Sequence, residues 1–169
     1  GLHPTTRLCL AALESLADRG VLARGGAGDG PARVVDIGSG SGILSIAAAR
    51  LGAGDVLAVD VDPIAVASST ANARRNRLAR RIRVREGSAP TGNGPFDVVL
   101  ANLVATLLVQ LADGLVADLR PGGTLLLSGI FADREAEVAA AFRARGVEIV
   151  NRWAEGDWVA LEGVREAEG

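Results

Sequence analysis

The residues best suited to chemistry lie in one short run, Asp36-Ile37-Gly38-Ser39-Gly40-Ser41-Gly42, followed by an apolar helical pattern from Ile43. Glycines at this spacing let the backbone turn sharply and approach a ligand, while the free N–H groups of the helix start face it. A nucleotide-like ligand is implied. The dinucleotide fingerprint G-x-G-x-x-G needs a glycine at position 43, where this chain has Ile43. An acid two residues before the first glycine is badly placed beside a pyrophosphate. It suits a ligand carrying a cationic amino group, as the methionine part of S-adenosylmethionine does. The second acid, Asp60, closes the apolar run Val56-Leu57-Ala58-Val59, 24 positions after Asp36. An acid there accepts hydrogen bonds from ribose hydroxyls. The blander reading, a tight turn with Asp36 as a cap, loses ground once Asp60 is counted. Asp62-Pro63 reads as a helix cap and first helical residue, a structural pair.

These residues need a scaffold, and the chain alternates short apolar runs with helical patterns. Strand patterns cover 33–37, 56–60, 82–86, 96–101, 124–128, 147–151 and 158–162; helical ones cover 42–51, 63–77, 105–119 and 134–145. Such alternation means parallel strands with right-handed crossovers, hence a doubly wound, mostly parallel seven-stranded α/β sheet. The last two runs follow each other without a helix, so the last strand is expected to return antiparallel at the sheet's edge. Ligands in such sheets sit at the carboxyl ends of the strands, near the point where strand order reverses. Upstream, Thr5 or Thr6 can cap a helix over 5–19 with apolar positions Leu8, Leu13 and Leu16, ending at Gly20. The stretch Gly25 to Pro31 reads as a flexible loop between this helix and a core over 32–164.

At 169 residues, 49% hydrophobic and net charge -2, the chain fits one soluble domain with a sizeable core. No apolar run approaches the roughly 20 residues of a membrane span. With one cysteine, Cys9, and one histidine, His3, it offers no metal-ligand cluster, no internal disulfide and little ground for a Ser-His-Asp triad. A cytoplasmic setting is the default. All 18 basic residues are arginine, a bias better read as genome composition than as function. The chain begins at Gly1 and has no Met, which reads as a trimmed piece or processed form.

With these residues placed, the chain resembles the class I S-adenosylmethionine-dependent methyltransferases, and more narrowly the ribosomal protein L-eleven methyltransferase family. The blocks that carry the resemblance are HPTTRLCL from His3, DIGSGSGILSIAAARLGA from Asp36, VDVDPIAV from Val59, ANLVA from Ala101 and PGGTLLLSGI from Pro121. The resemblance implies a methyltransferase acting on amines of a large-subunit ribosomal protein, with S-adenosylmethionine as cofactor. It implies that Thr6, Gly38, Asp60 and Asn102 contact the cofactor, with Gly87, Ser88 and Ala89 bordering its adenine. Gly40 and Gly42 complete the loop and Asp36 the charge. It further implies that the family's smaller N-terminal recognition domain is absent here.

Methyl transfer to an amine requires in-line placement and a deprotonated nitrogen. Asn102 can orient the amine through its side-chain carbonyl. His3, the only side chain with an unperturbed pKa near neutrality, reads first as a local structural residue near the mouth rather than as a base. The segment Asn102-Leu103-Val104-Ala105 lacks the Pro-Pro-aromatic sequence of enzymes that methylate planar nitrogens, which favours an aliphatic amine. Seven arginines, Arg74, Arg75, Arg77, Arg80, Arg81, Arg83 and Arg85, crowd between positions 74 and 85. A contact with ribosomal RNA phosphates is one reading; a solvated face with cations at a helix end is the plainer one. Trp153 and Trp158 read as packing residues. Two other functions compete: an NAD-dependent oxidoreductase, disfavoured by Ile43 and Asp36, and a cofactor-binding module without turnover.

Overall fold

The computed structural model describes residues 1–26 and 30–167, so residues 27–29 of the expected Gly25–Pro31 loop lie outside the described residues. Seven strands form one sheet: β1 (Arg33–Ile37), β2 (Asp55–Asp60), β3 (Ile82–Glu86), β4 (Phe96–Asn102), β5 (Leu119–Phe131), β6 (Val147–Glu155) and β7 (Trp158–Arg165). Their order is β3-β2-β1-β4-β5-β7-β6. β1 through β5 pair in parallel, and β7 pairs antiparallel with both β5 and β6. The chain steps outward from β1 to β3 and then returns to lay β4 beside β1. The switch point therefore falls at Ile37 and Ala101, which pair across the two strands.

The expected antiparallel last strand is present, but it is an interior strand and not the edge. Val159, Ala160 and Leu161 are all buried, so β7 is apolar on both faces and needs a neighbour on each side. β6 exposes most of its residues and takes the edge instead.

Alternate residues of the central strands feed two cores. Val35, Ile37, Leu57, Val59, Val99 and Leu127 face α4 (Ala105–Gln110), α5 (Ala112–Asp118) and α6 (Glu135–Arg143). Val34, Val56, Ala58, Val98, Leu100 and Leu126 face α1 (Pro4–Asp18), α2 (Ile43–Arg50) and α3 (Pro63–Arg75). Leu13 and Leu16 of α1 are fully buried, and each contributes about 2 to 3 kcal/mol of apolar burial.

Two helix boundaries differ from expectation. The cap of α1 is His3, not Thr5 or Thr6: its Nδ1 accepts the Thr5 backbone N–H at 3.2 Å, and Pro4 occupies the first helical position. The expected helix over 105–119 is two helices, α4 and α5, that meet at Leu111. α5 is drawn against the backbone of Ala89 and Pro90, close enough that a Cβ on Gly114 would lie 2.6 Å from it. No helix among the described residues is long and apolar enough to cross a membrane.

Candidate functional site

The end of β1 turns into α2 through the glycine run. Gly38 and Ser39 both donate their N–H groups to the Val59 carbonyl, at 2.9 and 3.0 Å, which anchors the turn to β2. Gly38 has φ +75, and a Cβ there would lie 2.6 Å from Cδ2 of Leu103, so only glycine lets the turn and that side chain coexist. α3 braces the far side of the loop. Ser69 Oγ donates to the Gly40 carbonyl at 2.8 Å, and Asn72 donates to that of Ser41 at 2.8 Å. The Gly42 carbonyl accepts from Ile46 N–H as α2 begins.

Asp60, half-buried at the end of β2, accepts the Gly40 N–H on Oδ2 and the Asp62 N–H on Oδ1, each at 3.0 Å. Its carboxylate thus faces the loop, with lone pairs to spare on both oxygens. Beside it opens a cavity of about 420 Å3, lined by Ile37, Gly38, Asp60, Val61, Gly87, Ser88, Leu103, Leu107 and Leu111. That volume lies in the range of small-ligand sites, and the pattern of apolar walls with a few polar groups is theirs as well.

A second cavity of about 270 Å3 lies on the other side of Leu103, lined by His3, Thr5, Asn102, Leu103, Val104, Gly129 and Trp158. Asn102 ends β4 half-buried in this wall. The 102–104 segment crosses β5 closely: Leu103 N–H donates to the Ser128 carbonyl at 3.0 Å, and a Cβ on Gly129 would stand 2.5 Å from the Leu103 carbonyl oxygen. Ser128 in turn donates to the Thr5 carbonyl at 2.8 Å, tying α1 to the site. Trp158 stacks on Phe131 with ring centroids 4.0 Å apart and meets the His3 ring edge-on at 5.1 Å. His3 Nδ1 is taken by the helix cap and lies 2.9 Å from Thr5 Oγ1, which fits a structural role.

Asp36 sits apart from both cavities. It is 1% exposed, and Ser45 Oγ donates to its Oδ2 at 2.7 Å. Burial pushes its carboxyl up to about 6 despite that bond, with the nearby charge of Asp60 adding to the rise. The adjacent Cys9 thiol is pushed up by burial as well.

The expected residues therefore fall into three groups. Gly38, Asp60 and Ser88 line the first cavity, with Gly87 beside them, and Asn102 lines the second. Gly40 and Gly42 shape the loop without lining either cavity. Thr6 lines neither cavity, whereas Thr5 lines the second. A sequence signal for Thr5 existed: it shares the buried stripe of α1 with Leu8, Cys9 and Ala12, and Thr6 does not. Sequence reasoning missed the wall formed by Leu103, Leu107 and Leu111. The arginines of positions 74–85 lie along the β3 edge.

Comparison with known proteins follows the same lines. The family model described as Ribosomal protein L11 methyltransferase (PrmA) matches residues 1–166. The ribosomal protein L11 methyltransferase of Chloroflexus aurantiacus is 45% identical over 186 residues, covering 95% of this chain and 53% of that protein. The crystal structure of ribosomal protein L11 methylase from Lactobacillus delbrueckii subsp. bulgaricus matches with a TM-score of 0.84 at 30% identity, covering 98% of this chain and 80% of that one. A methyltransferase from Pyrococcus furiosus shares the fold, with a TM-score of 0.73 at 19% identity over 98% of this chain and 88% of its own. The chain spans about half the length of the curated relatives it matches.

Proposed function

The chain belongs to the ribosomal protein L11 methyltransferase family, and from that premise we propose that it transfers methyl groups from S-adenosylmethionine to amines of a ribosomal protein, on lysine side chains or the α-amino group. The observation that carries this reading is the pair of cavities meeting at Leu103. One has the size, the apolar walls and the acid expected of a nucleoside site, and the other holds Asn102.

The residues fit the cofactor. Asp60 accepts from the ribose hydroxyls with the lone pairs its backbone partners leave free. Ser88 and Gly87 border the adenine, against the apolar wall of Leu103, Leu107 and Leu111. Gly38 brings the backbone close to the ligand, and Gly40 and Gly42 hold the loop's path. Asp36, buried and without a cation partner among the described residues, supplies negative charge toward the ligand's ammonium and sulfonium groups. When bound, S-adenosylmethionine supplies a methyl group already activated by positive sulfur.

What this chain adds is placement. The incoming amine would donate a hydrogen bond to the Asn102 side-chain carbonyl, which aims the nitrogen lone pair toward the first cavity where the two meet beside Leu103. Proximity and orientation of this kind can lower a barrier by roughly 7 to 11 kcal/mol. A lysine ammonium, with a pKa about 10.4, must first lose its proton. Partial desolvation beside Leu103 and Trp158, together with the positive sulfur of a bound cofactor, would lower that pKa, and the proton leaves to water at the open mouth.

Incubation with tritiated S-adenosylmethionine and purified ribosomal protein L11 is expected to label lysine or the α-amino group. Asn102→Ala is expected to slow transfer about tenfold or more with a much smaller change in cofactor affinity, because the contact matters most in the transition state. Label on RNA bases, or unchanged turnover in the variant, would overturn the reading.

A further inference from the structure

The seven arginines between positions 74 and 85 form a ridge that wraps one edge of the sheet. Arg74, Arg75, Arg77 and Arg80 are exposed at the end of α3 and in the turn after it, and Arg83 is exposed on the edge strand β3. Along β3, Ile82 and Val84 turn toward α3, while Arg83 and Arg85 pair with Leu57 and Val59 and so share the opposite face. Guanidinium groups therefore flank the edge on both sides.

Their partners set them apart from the arginines elsewhere. Of the eleven other arginines, seven pair with a carboxylate among the described residues: Arg7, Arg19, Arg33, Arg120, Arg134, Arg145 and Arg152. In the ridge only Arg83 does, and its partner Asp55 is shared with Arg33. Arg75 bonds the Asn72 side chain, Arg85 the Thr91 carbonyl and Asn93, and Arg81 the Ala53 carbonyl. Glu86 is the one other carboxylate at this edge within the 74–86 segment.

Backbone geometry adds an independent sign. Arg77 has φ 60, the only non-glycine residue with positive φ among the described residues. It follows the Asn76 cap of α3, at the place where helices normally use glycine because a side chain is strained there. Helix-end electrostatics account for cations at Arg74 and Arg75. They do not account for a strained arginine past the cap, or for Arg80, Arg83 and Arg85 beyond the helix.

We propose that this ridge binds the sugar-phosphate backbone of RNA, through charge and without reading sequence. The exposed guanidiniums of Arg74, Arg75, Arg77 and Arg80, none paired with a carboxylate among the described residues, match phosphates, which they can hold bidentately, and Arg83 and Arg85 extend the positive charge around the edge. No Phe, Tyr or Trp lies between positions 61 and 95, so base stacking has no platform. RNA is favoured over an acidic protein surface because the substrate class is a ribosomal protein, and in this the inference rests on the function proposed above. The ridge also leads to the site. α3 starts at Pro63 beside Asp60 and carries its arginines about 20 Å away, at roughly 1.5 Å per residue. β3 then returns toward Gly87 and Ser88 in the first cavity.

The test is fluorescence anisotropy of a labelled RNA stem-loop with the unmodified chain and with R74Q/R77G/R80Q, at low and moderate salt. No methyl transfer is read, so failure here is distinct from failure of the proposed activity. The unmodified chain is expected to bind with an affinity that falls steeply with salt. The triple variant should bind about tenfold more weakly, with a log–log salt slope reduced by roughly 2 to 3. R77G alone is expected to weaken RNA binding while leaving Tm unchanged or raised, which a purely structural role for Arg77 would not allow. Salt-insensitive or absent binding by the unmodified chain, equal binding by the triple variant, or competition by poly-glutamate as effective as by unlabelled RNA would overturn the proposal.

Discussion

Asp36 and Asp97 lie on neighbouring strands at opposite ends of the sheet, and the fold treats these two buried carboxylates in opposite ways. Asp97, at the start of β4, accepts the Gly26 N–H at 2.6 Å and Arg120 Nε at 2.6 Å on one oxygen, and the Arg33 N–H at 2.8 Å on the other. Burial alone would raise its pKa, but these donors overcome that and hold it below the usual carboxylate value. Asp36 has the Ser45 hydroxyl and no cation within ion-pair distance among the described residues, and burial lifts it to about 6. One end of the sheet neutralises its buried charge internally. The other leaves a buried carboxylate with no cation beside it among the described residues, which is destabilising unless a cationic ligand compensates it. Stability is built at the amino ends of the strands, and binding capacity is stored at the carboxyl ends.

Replacing Asp97 tests the stabilising end and carries the largest expected effect. Asp97→Ala strips three donors of their acceptor and leaves Arg120 unpaired, so urea unfolding should show a loss of about 3 kcal/mol. Cofactor affinity of the folded variant should stay within about twofold. A loss below about 1 kcal/mol would mean that the Asp97 cluster is incidental.

Asp36→Asn should raise stability where Asp97→Ala lowers it, and weaken cofactor binding where Asp97→Ala leaves it nearly unchanged. The variant still accepts the Ser45 hydroxyl but buries no charge, so at pH 7 it is expected to be more stable by about 2 kcal/mol and to bind S-adenosylmethionine about tenfold more weakly. The sign of the pH dependence follows from the raised pKa. Between the ordinary carboxylate value of 3.8 and about 6 the folded chain holds a proton that the unfolded chain has lost. The contribution of Asp36 to stability is therefore most favourable below that window, declines as pH rises through it, and is fully unfavourable above about 6. The unmodified chain should gain stability on moving from pH 7 to pH 5 relative to the variant. Parallel pH profiles would remove Asp36 from this account.

Asp60→Ala is the smallest of the three. Asp60 is half-exposed and bonds only backbone N–H groups, so its loss should cost little stability. Cofactor affinity should fall about tenfold, roughly 1.5 kcal/mol, as the ribose loses a charge-assisted acceptor. Equal affinities by calorimetry would place the ribose elsewhere.

What was legible in the chain follows from how locally each feature is encoded. The glycine turn and Asp60 announce themselves because few residues tolerate that turn and an acid at a strand end is conspicuous. Leu103, Leu107 and Leu111 were not legible as a cavity wall: apolar residues at helical spacing look the same whether they face a core or a ligand. Trp158 looked like packing, and in part it is, since it stacks on Phe131; its place on the second cavity depends on β7 pairing with β5, which no local pattern encodes. His3 escaped as the helix cap because its ring is not among the usual capping side chains. The edge position expected for β7 failed because strand order was inferred from chain order, while the apolar character of both its faces already favoured the interior.

The insertion of β7 between β5 and β6 also ties the two ends of the chain together. The β5–β7 ladder joins strands separated in the chain by α6, β6 and the turn at Gly156, and α1 rests against β5 and β7 as well as β6. The earliest and latest described elements are thus neighbours in space, and closing that distance must precede the reward of its contacts. Once closed, the same long-range seam resists local fraying, so the aromatic side of the site inherits the persistence of the whole fold rather than of a loop.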